Sequence, residues 1–192
     1  MSKHLEIDLH IKRDDLAGPS FGGNKARQLE YYFGEALSQD ADTILITGAV
    51  QSNFTRTAVA IARSLGMEAV VQFEDRVKNG STCYKNSGNV LLSRLMGAEI
   101  EFYPKGDDET GADVALDRKA AQLRSSGKRP FIIHLSEAYP PLGALGYVDA
   151  AKAAAVSTTL GDPASPTMSS ERPAVASQAN VCSGQKSGQS SY

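Results

Sequence analysis

The sequence predicts an α/β fold, a parallel sheet flanked by helices, with a disordered C-terminal tail. Three observations predict it. Short runs of apolar and β-branched residues alternate with longer segments whose apolar residues recur at helical spacing. The helical segments are long enough to serve as crossovers, which parallel strands require. Loops rich in Gly, Ser and Asn lie between strand ends and helix starts, where caps and tight turns are needed.

The elements follow in order along 192 residues. Leu5, Ile7, Leu9 and Ile11 alternate with polar residues and predict a half-buried strand. After a loop through Gly18, Pro19, Gly22 and Gly23, Ala26, Leu29, Phe33 and Leu37 share one helical face. Thr43 to Thr47 reads as a short buried strand, and Ala58, Ile61, Ala62 and Leu65 mark the helix after it. Ala69 to Phe73 is the next strand, with a helix around Asn89 to Met96. Ile100 to Tyr103 and Phe131 to Leu135 are two more, separated by a helix around Ala112 to Ser126. A last helix runs from about Leu142 to about Val156. From Ser157 to Tyr192 large apolar residues are few, and Pro163, Pro166 and Pro173 break any pattern. That stretch cannot bury enough surface to offset an ordering cost of ~1–2 kcal/mol per residue, so residues 157–192 are expected to be disordered.

Composition narrows the function. With 41% hydrophobic and 22% charged residues the chain is of soluble globular type, and no apolar run approaches the ~20 residues of a membrane span. A net charge of −2 argues against a nucleic-acid partner. The first residues lack a basic segment followed by an apolar one, so the expected compartment is the cytoplasm. Cys83 and Cys182 are far apart, which gives little support to a disulfide or a metal site. His4, His10 and His134 lack ligand spacing. The expected partner is a small molecule.

Parallel sheets bind ligands at their carboxyl edge, where helix N-termini offer unpaired N–H groups. Two loops fit that position. Ser20-Phe21-Gly22-Gly23-Asn24-Lys25 opens the first long helix; as an ordinary turn it has Asn24 as cap and Lys25 as a solvated charge. A lysine facing the positive pole of a helix is, however, unusual for a purely structural turn. Gly48-Ala49-Val50-Gln51-Ser52-Asn53 joins the second strand segment to its helix. It is either a routine capped turn or a cradle in which Ser52, Asn53 and backbone N–H groups hold a carboxylate. Asp14 and Asp15 are adjacent and point apart on an extended segment, so they read as solvated or ion-paired charges and not as a catalytic pair.

Taken together, Lys12-Arg13-Asp14-Asp15-Leu16, Gly22-Gly23-Asn24-Lys25-Ala26-Arg27-Gln28-Leu29-Glu30 and Thr47-Gly48-Ala49-Val50-Gln51-Ser52-Asn53 resemble a known family. It is the D-cysteine desulfhydrase and 1-aminocyclopropane-1-carboxylate deaminase group of pyridoxal-phosphate enzymes, with the tryptophan-synthase-β-like fold (fold type II). Ser87-Gly88-Asn89-Val90-Leu91-Leu92 and Leu142-Gly143-Ala144-Leu145-Gly146-Tyr147-Val148 extend the resemblance to about residue 152. It implies that residues 1–40 begin the large cofactor-binding domain and that 41–156 form the small α/β domain and return helix. It also implies that Lys25 forms the internal aldimine with pyridoxal phosphate and then moves protons. Asn53 would hydrogen-bond the cofactor's ring 3′-oxygen, and Ser52, with Gln51 and nearby backbone, would receive the substrate carboxylate. In deaminase relatives the serine matching Ser52 also has a nucleophilic role.

The activity implied is that of an amino-acid lyase or deaminase. D-cysteine desulfhydration, giving pyruvate, ammonia and sulfide, is the first expectation; 1-aminocyclopropane-1-carboxylate deamination is the alternative, and a catalytically inactive fragment is the reading of another class. The family also implies a homodimer. The chain departs from the pattern in two places. Phe54 follows Gln51-Ser52-Asn53 where many members carry a polar residue, and Ser136-Glu137-Ala138-Tyr139-Pro140-Pro141 stands where relatives often have a glycine-rich turn. Residues 157–192 match none of the family's second half, with its phosphate cup, so the expectation is a truncated enzyme of impaired activity.

Overall fold

The computed structural model describes residues 2–6, 13–77 and 80–159. Its centre is β1 (Thr43–Ala49), with its first six residues buried. On one side β1 pairs in parallel with β2 (Glu68–Glu74), which pairs with β3 (Glu99–Tyr103). On the other it pairs with β4 (Pro130–Ile133), giving the order β3-β2-β1-β4. The chain winds outward from β1 to β3 and then returns to the opposite side. β1 and β4 therefore flank the point where the winding direction switches, and the carboxyl edge there is where such sheets bind ligands.

The period-two alternation of β1 serves two layers. Ile44 and Ile46 enter a cluster with Leu29, Phe33, Val71, Phe73 and Ile133, all buried. This cluster lies under α2 (Ala26–Ser38) and α3 (Asn53–Ser64), with α5 (Gly88–Leu95) packed beside α3. Leu45 points the other way, to Val70, Leu116 and Ala120, where α6 (Glu109–Ser125) covers the sheet. Each fully buried large side chain contributes about 1.5–3 kcal/mol of transfer free energy, which makes the α2–α3 layer the main source of stability. Outside these layers α7 (Gly143–Thr159) lies on α2. The contact is at backbone distance: a Cβ on Gly146 would lie within 2 Å (1.9 Å) of the Arg27 carbonyl oxygen, so only glycine fits.

All four predicted strands from Thr43 onward and the five longer helices are present, with ends moved by a few residues. Three differences carry information. Leu5, expected in a strand, is exposed in a short helix, α1 (Ser2–Leu5). The remainder of that predicted strand, with Ile7, Leu9 and Ile11, lies outside the described residues. A five-residue helix, α4 (Thr82–Asn86), was unforeseen; it is too short for an apolar period and is started by the Ser81 hydroxyl, which accepts from the Tyr84 N–H at 3.1 Å. Finally, α7 runs to Thr159, three residues into the segment expected to be disordered, because no Gly or Pro stands between Val156 and Gly161. Residues 160–192 lie outside the described residues. No helix among the described residues is long and apolar enough to cross a membrane.

Candidate active site at the carboxyl edge of the sheet

The loop before α2 is fixed from both sides. The Gly23 N–H donates to the Asp14 carbonyl at 2.9 Å, while the Asp14 carboxylate takes both arms of the Arg27 guanidinium at 2.9 and 3.0 Å. This fork-to-fork pair is half-buried and holds Arg27 above its ordinary pKa, first through the hydrogen bonds it donates to Asp14. Gly22, at φ 59°, is pressed against the main chain of Asp15 and Ala17, where a Cβ would meet the Asp15 carbonyl oxygen at 2.4 Å. Ser20, Phe21 and Gly23 also have positive φ, so four successive residues before Asn24 are held out of ordinary backbone conformations by their surroundings. Asp14 and Asp15 are thus both ion-paired, Asp15 with the exposed Arg13.

The turn delivers Lys25 to the N-cap of α2 with φ −87° and ψ −20°. Lys25, not Asn24, occupies the cap, and no side chain closes it. Its ammonium lies 6.0 Å from the centre of the buried Phe54 ring, and it makes no ion pair among the described residues. A half-buried lysine against an aromatic face without a carboxylate is chemically available.

Ser52 begins α3. Its hydroxyl accepts from the Thr55 N–H at 3.4 Å and its carbonyl from the Thr55 hydroxyl at 3.0 Å. The N–H groups of Asn53 and Phe54, the first two of the helix, have no acceptor among the described residues, so the α3 terminus is open to an anion. Among the described residues no base hydrogen-bonds the Ser52 hydroxyl. The Asn53 amide reaches across to Asn24, donating to its Oδ1 at 3.3 Å, which joins the two predicted loops. From the third side the Tyr147 hydroxyl of α7 donates to the Asn24 carbonyl at 2.6 Å. Burial, and then the Asp14 carboxylate, push the Tyr147 phenol up, which keeps it a proton donor.

Gln51 is turned away from the cleft. Its amide donates to the carbonyls of Tyr84 at 2.6 Å and Ser87 at 2.8 Å, and its Oε1 accepts from the Asn89 N–H at 2.8 Å. Both donor hydrogens and one acceptor site of the side chain are engaged, so only its backbone can serve a carboxylate. The approach requires Gly88, whose added Cβ would lie 2.4 Å from Gln51 Oε1. Tyr84, given no role from sequence, also braces this loop by donating to the Val50 carbonyl at 3.3 Å.

Sequence reasoning also missed a second polar group at the end of β4. Asp113 accepts from the Ser136 hydroxyl at 2.6 Å and contacts His134 Nδ1 at 3.1 Å, while His134 stacks on Tyr139 at 3.6 Å. His134, Ser136, Tyr139 and Tyr32 of α2 line a cavity of about 380 Å³. The signals in the sequence were the place of His134 at a strand end, where a structural histidine is the expectation, and the departure at Ser136–Pro141 from a glycine-rich turn.

A family model described as "Pyridoxal-phosphate dependent enzyme" matches residues 1–166, beyond the residue-152 limit of the quoted motifs. The chain belongs to this family. It is similar to 1-aminocyclopropane-1-carboxylate deaminases from Mesorhizobium japonicum, at 38% identity, and Burkholderia multivorans, at 40% identity. Each match covers 77% of this chain and 44% of the relative. A crystal structure of an ACC deaminase homologue superposes with a TM-score of 0.67 at 36% identity, covering 80% of this chain and 45% of that one. The chain therefore spans less than half the length of these pyridoxal-phosphate-dependent relatives.

The described residues fit one end of the family's cofactor. Lys25 offers a primary amine without a competing carboxylate, Asn53 a carboxamide beside it, and the α3 terminus two unpaired N–H donors. The first two suit the cofactor's carbonyl and phenolic oxygen, and the third suits the carboxylate of an amino-acid substrate.

Proposed function

We propose that this chain carries the lysine-bearing part of a pyridoxal-phosphate site for an amino-acid lyase or deaminase, with 1-aminocyclopropane-1-carboxylate as the first candidate substrate. The observation that carries the reading is the meeting of Lys25, Asn53 and the open α3 terminus at one carboxyl edge. The curated relatives at 38 and 40% identity, both 1-aminocyclopropane-1-carboxylate deaminases, support that substrate over D-cysteine, the reverse of the order expected from sequence. In this reading residues 1–40 belong to a larger cofactor-binding lobe and 41–156 to a smaller one. The partners that go with it are a small amino acid and a second copy of the chain.

When bound, pyridoxal phosphate supplies the electron sink for carbanion chemistry next to an amino group. The chain's residues do the rest. Lys25 Nζ is the amine that would hold the cofactor at its carbonyl carbon and that would carry a proton to or from the substrate beside it. Asn53 orients the ring through its carboxamide. The N–H groups of Asn53 and Phe54, with the Ser52 hydroxyl, seat the carboxylate through charge-assisted hydrogen bonds, each roughly 1.5–3 kcal/mol. The Phe54 ring excludes water from the lysine's flank.

The test is direct. The purified chain is mixed with pyridoxal phosphate and its visible absorption compared with that of Lys25→Ala. A band present only with Lys25 is expected, followed by ammonia release from 1-aminocyclopropane-1-carboxylate exceeding sulfide release from D-cysteine. The opposite ratio restores the D-cysteine reading. A band without turnover of either substrate leaves a cofactor-binding fragment, and no band in wild type overturns the proposal.

A further inference from the structure

Among the described arginines only Arg27 and Arg56 are not exposed. Arg27 has its carboxylate; among the described residues Arg56 has none. Arg56 lies on the first turn of α3, and its Nη1 donates to Asn89 Oδ1 at 2.9 Å, while Nη2 is 3.5 Å from the Thr57 hydroxyl. Its Nε is buried with no partner, and its guanidinium sits 5.9 Å from the Phe21 ring in the loop that leads to Lys25. Burial pushes its pKa below the ordinary arginine value, as expected for a cation without a counter-ion. The positive pole of α3 makes this placement costlier still. An ordinary surface ion pair does not account for a cation kept here.

What Arg56 touches gives it a task. Asn89, held by Arg56, donates from Nδ2 to the Gln51 carbonyl at 2.7 Å and from its backbone N–H to Gln51 Oε1. Gln51 has φ 72°, left-handed backbone that a glutamine adopts only when its neighbours hold it there. That conformation sets the direction in which the next residues, Ser52, Asn53 and Phe54, present their N–H groups and hydroxyl. We propose that Arg56 is the positioning residue of the carboxylate cradle. Through Asn89 it clamps the left-handed Gln51, and its unpaired charge makes the α3 terminus favour an anion. This rests on the reading that the terminus seats an amino-acid carboxylate, and adds the residue that tunes it.

The experiment uses the full ¹⁵N-labelled chain without cofactor, titrated at millimolar concentration with glycine and, as the control that lacks the carboxylate, glycinamide. In wild type, glycine is expected to shift the amide resonances of Asn53 and Phe54, and glycinamide to bind at least about tenfold more weakly. Arg56→Gln is expected to weaken glycine about tenfold and leave glycinamide unchanged. Arg56→Lys, which keeps the charge and loses the fork, should fall between. Unchanged resonances along β1 certify that each variant is folded, and Asn89→Ala provides a second route to the same loosening of Gln51. Glycine affinity in Arg56→Gln within twofold of wild type overturns the proposal, as does the absence of glycine-dependent shifts at Asn53 and Phe54 in wild type. Pyridoxal phosphate uptake at Lys25, read separately by visible absorption, reports on the cofactor reading alone.

Discussion

The two faces of the sheet are built from different materials. Under α2 and α3 the contact is dry: Leu29, Phe33, Ile44, Ile46, Ile61, Val71 and Phe73 are all within a few per cent of complete burial. Under α6 the same strands offer Leu45 and Val70 at one end, then Thr47, Gln72 and Glu74 toward the carboxyl edge. There α6 is tied by polar bonds, with Gln72 donating to the Ala112 carbonyl at 2.9 Å and Asp113 joined to Ser136 and His134. The candidate site therefore rests mainly on apolar burial, while the α6 side near the carboxyl edge is held to a larger extent by polar and ionic bonds.

Cutting into the dry face is expected to do the most damage. Phe33→Ala should lose about 3–5 kcal/mol in chemical denaturation, enough to unfold a domain of this size in many conditions. Leu116→Ala, the matching deletion under α6, should cost about 2–3 kcal/mol, because fewer buried neighbours surround it. Equal losses would remove the contrast between the faces. Lys119 sits between Glu99 at 2.5 Å and Glu101 at 2.7 Å, linking α6 to the β3 edge. Lys119→Met is expected to change stability by no more than about 1 kcal/mol at low salt and by nothing measurable in molar salt.

The smallest effect concerns acid. The Tyr103 hydroxyl and then the Gly111 N–H hold the Asp108 carboxyl below its usual range, at the N-cap of α6. A carboxyl depressed in the folded state stabilises fully above the ordinary aspartate value of ~4 and loses that contribution as pH falls through the lower folded value. Amide exchange in the first turn of α6 should therefore rise below about pH 4, with α3 unaffected, and Asp108→Asn should remove the pH dependence.

Much of this was legible in sequence because strands and long helices repeat their apolar residues at fixed periods. Ile44 and Ile46 against Leu45, or Ala58 with Ile61 and Ala62, declare their faces locally. The meeting of the Lys25 and Asn53 loops was legible only through motifs. What sequence could not reveal is whatever depends on partners far along the chain. Gln51 looks like a ligand-facing amide until α4 and α5 take its donors and acceptor. His134 looks like an isolated strand-end histidine until Asp113, 21 residues earlier, is brought beside it. The alternation from Leu5 to Ile11 misled at Leu5 because a period of two over so few residues does not outweigh the alternative of a helical turn.

The glycine contact between α7 and α2 has a bearing on synthesis. Lys25 is made early, yet the Asn24 carbonyl before it is held by Tyr147, which is added 123 residues after Asn24. A ribosome adding ~5–20 residues per second takes roughly 6–25 s to cover that interval. During it the lysine's loop lacks its bond to Tyr147, and the Asn24 carbonyl is capped only when α7 emerges and lies on α2.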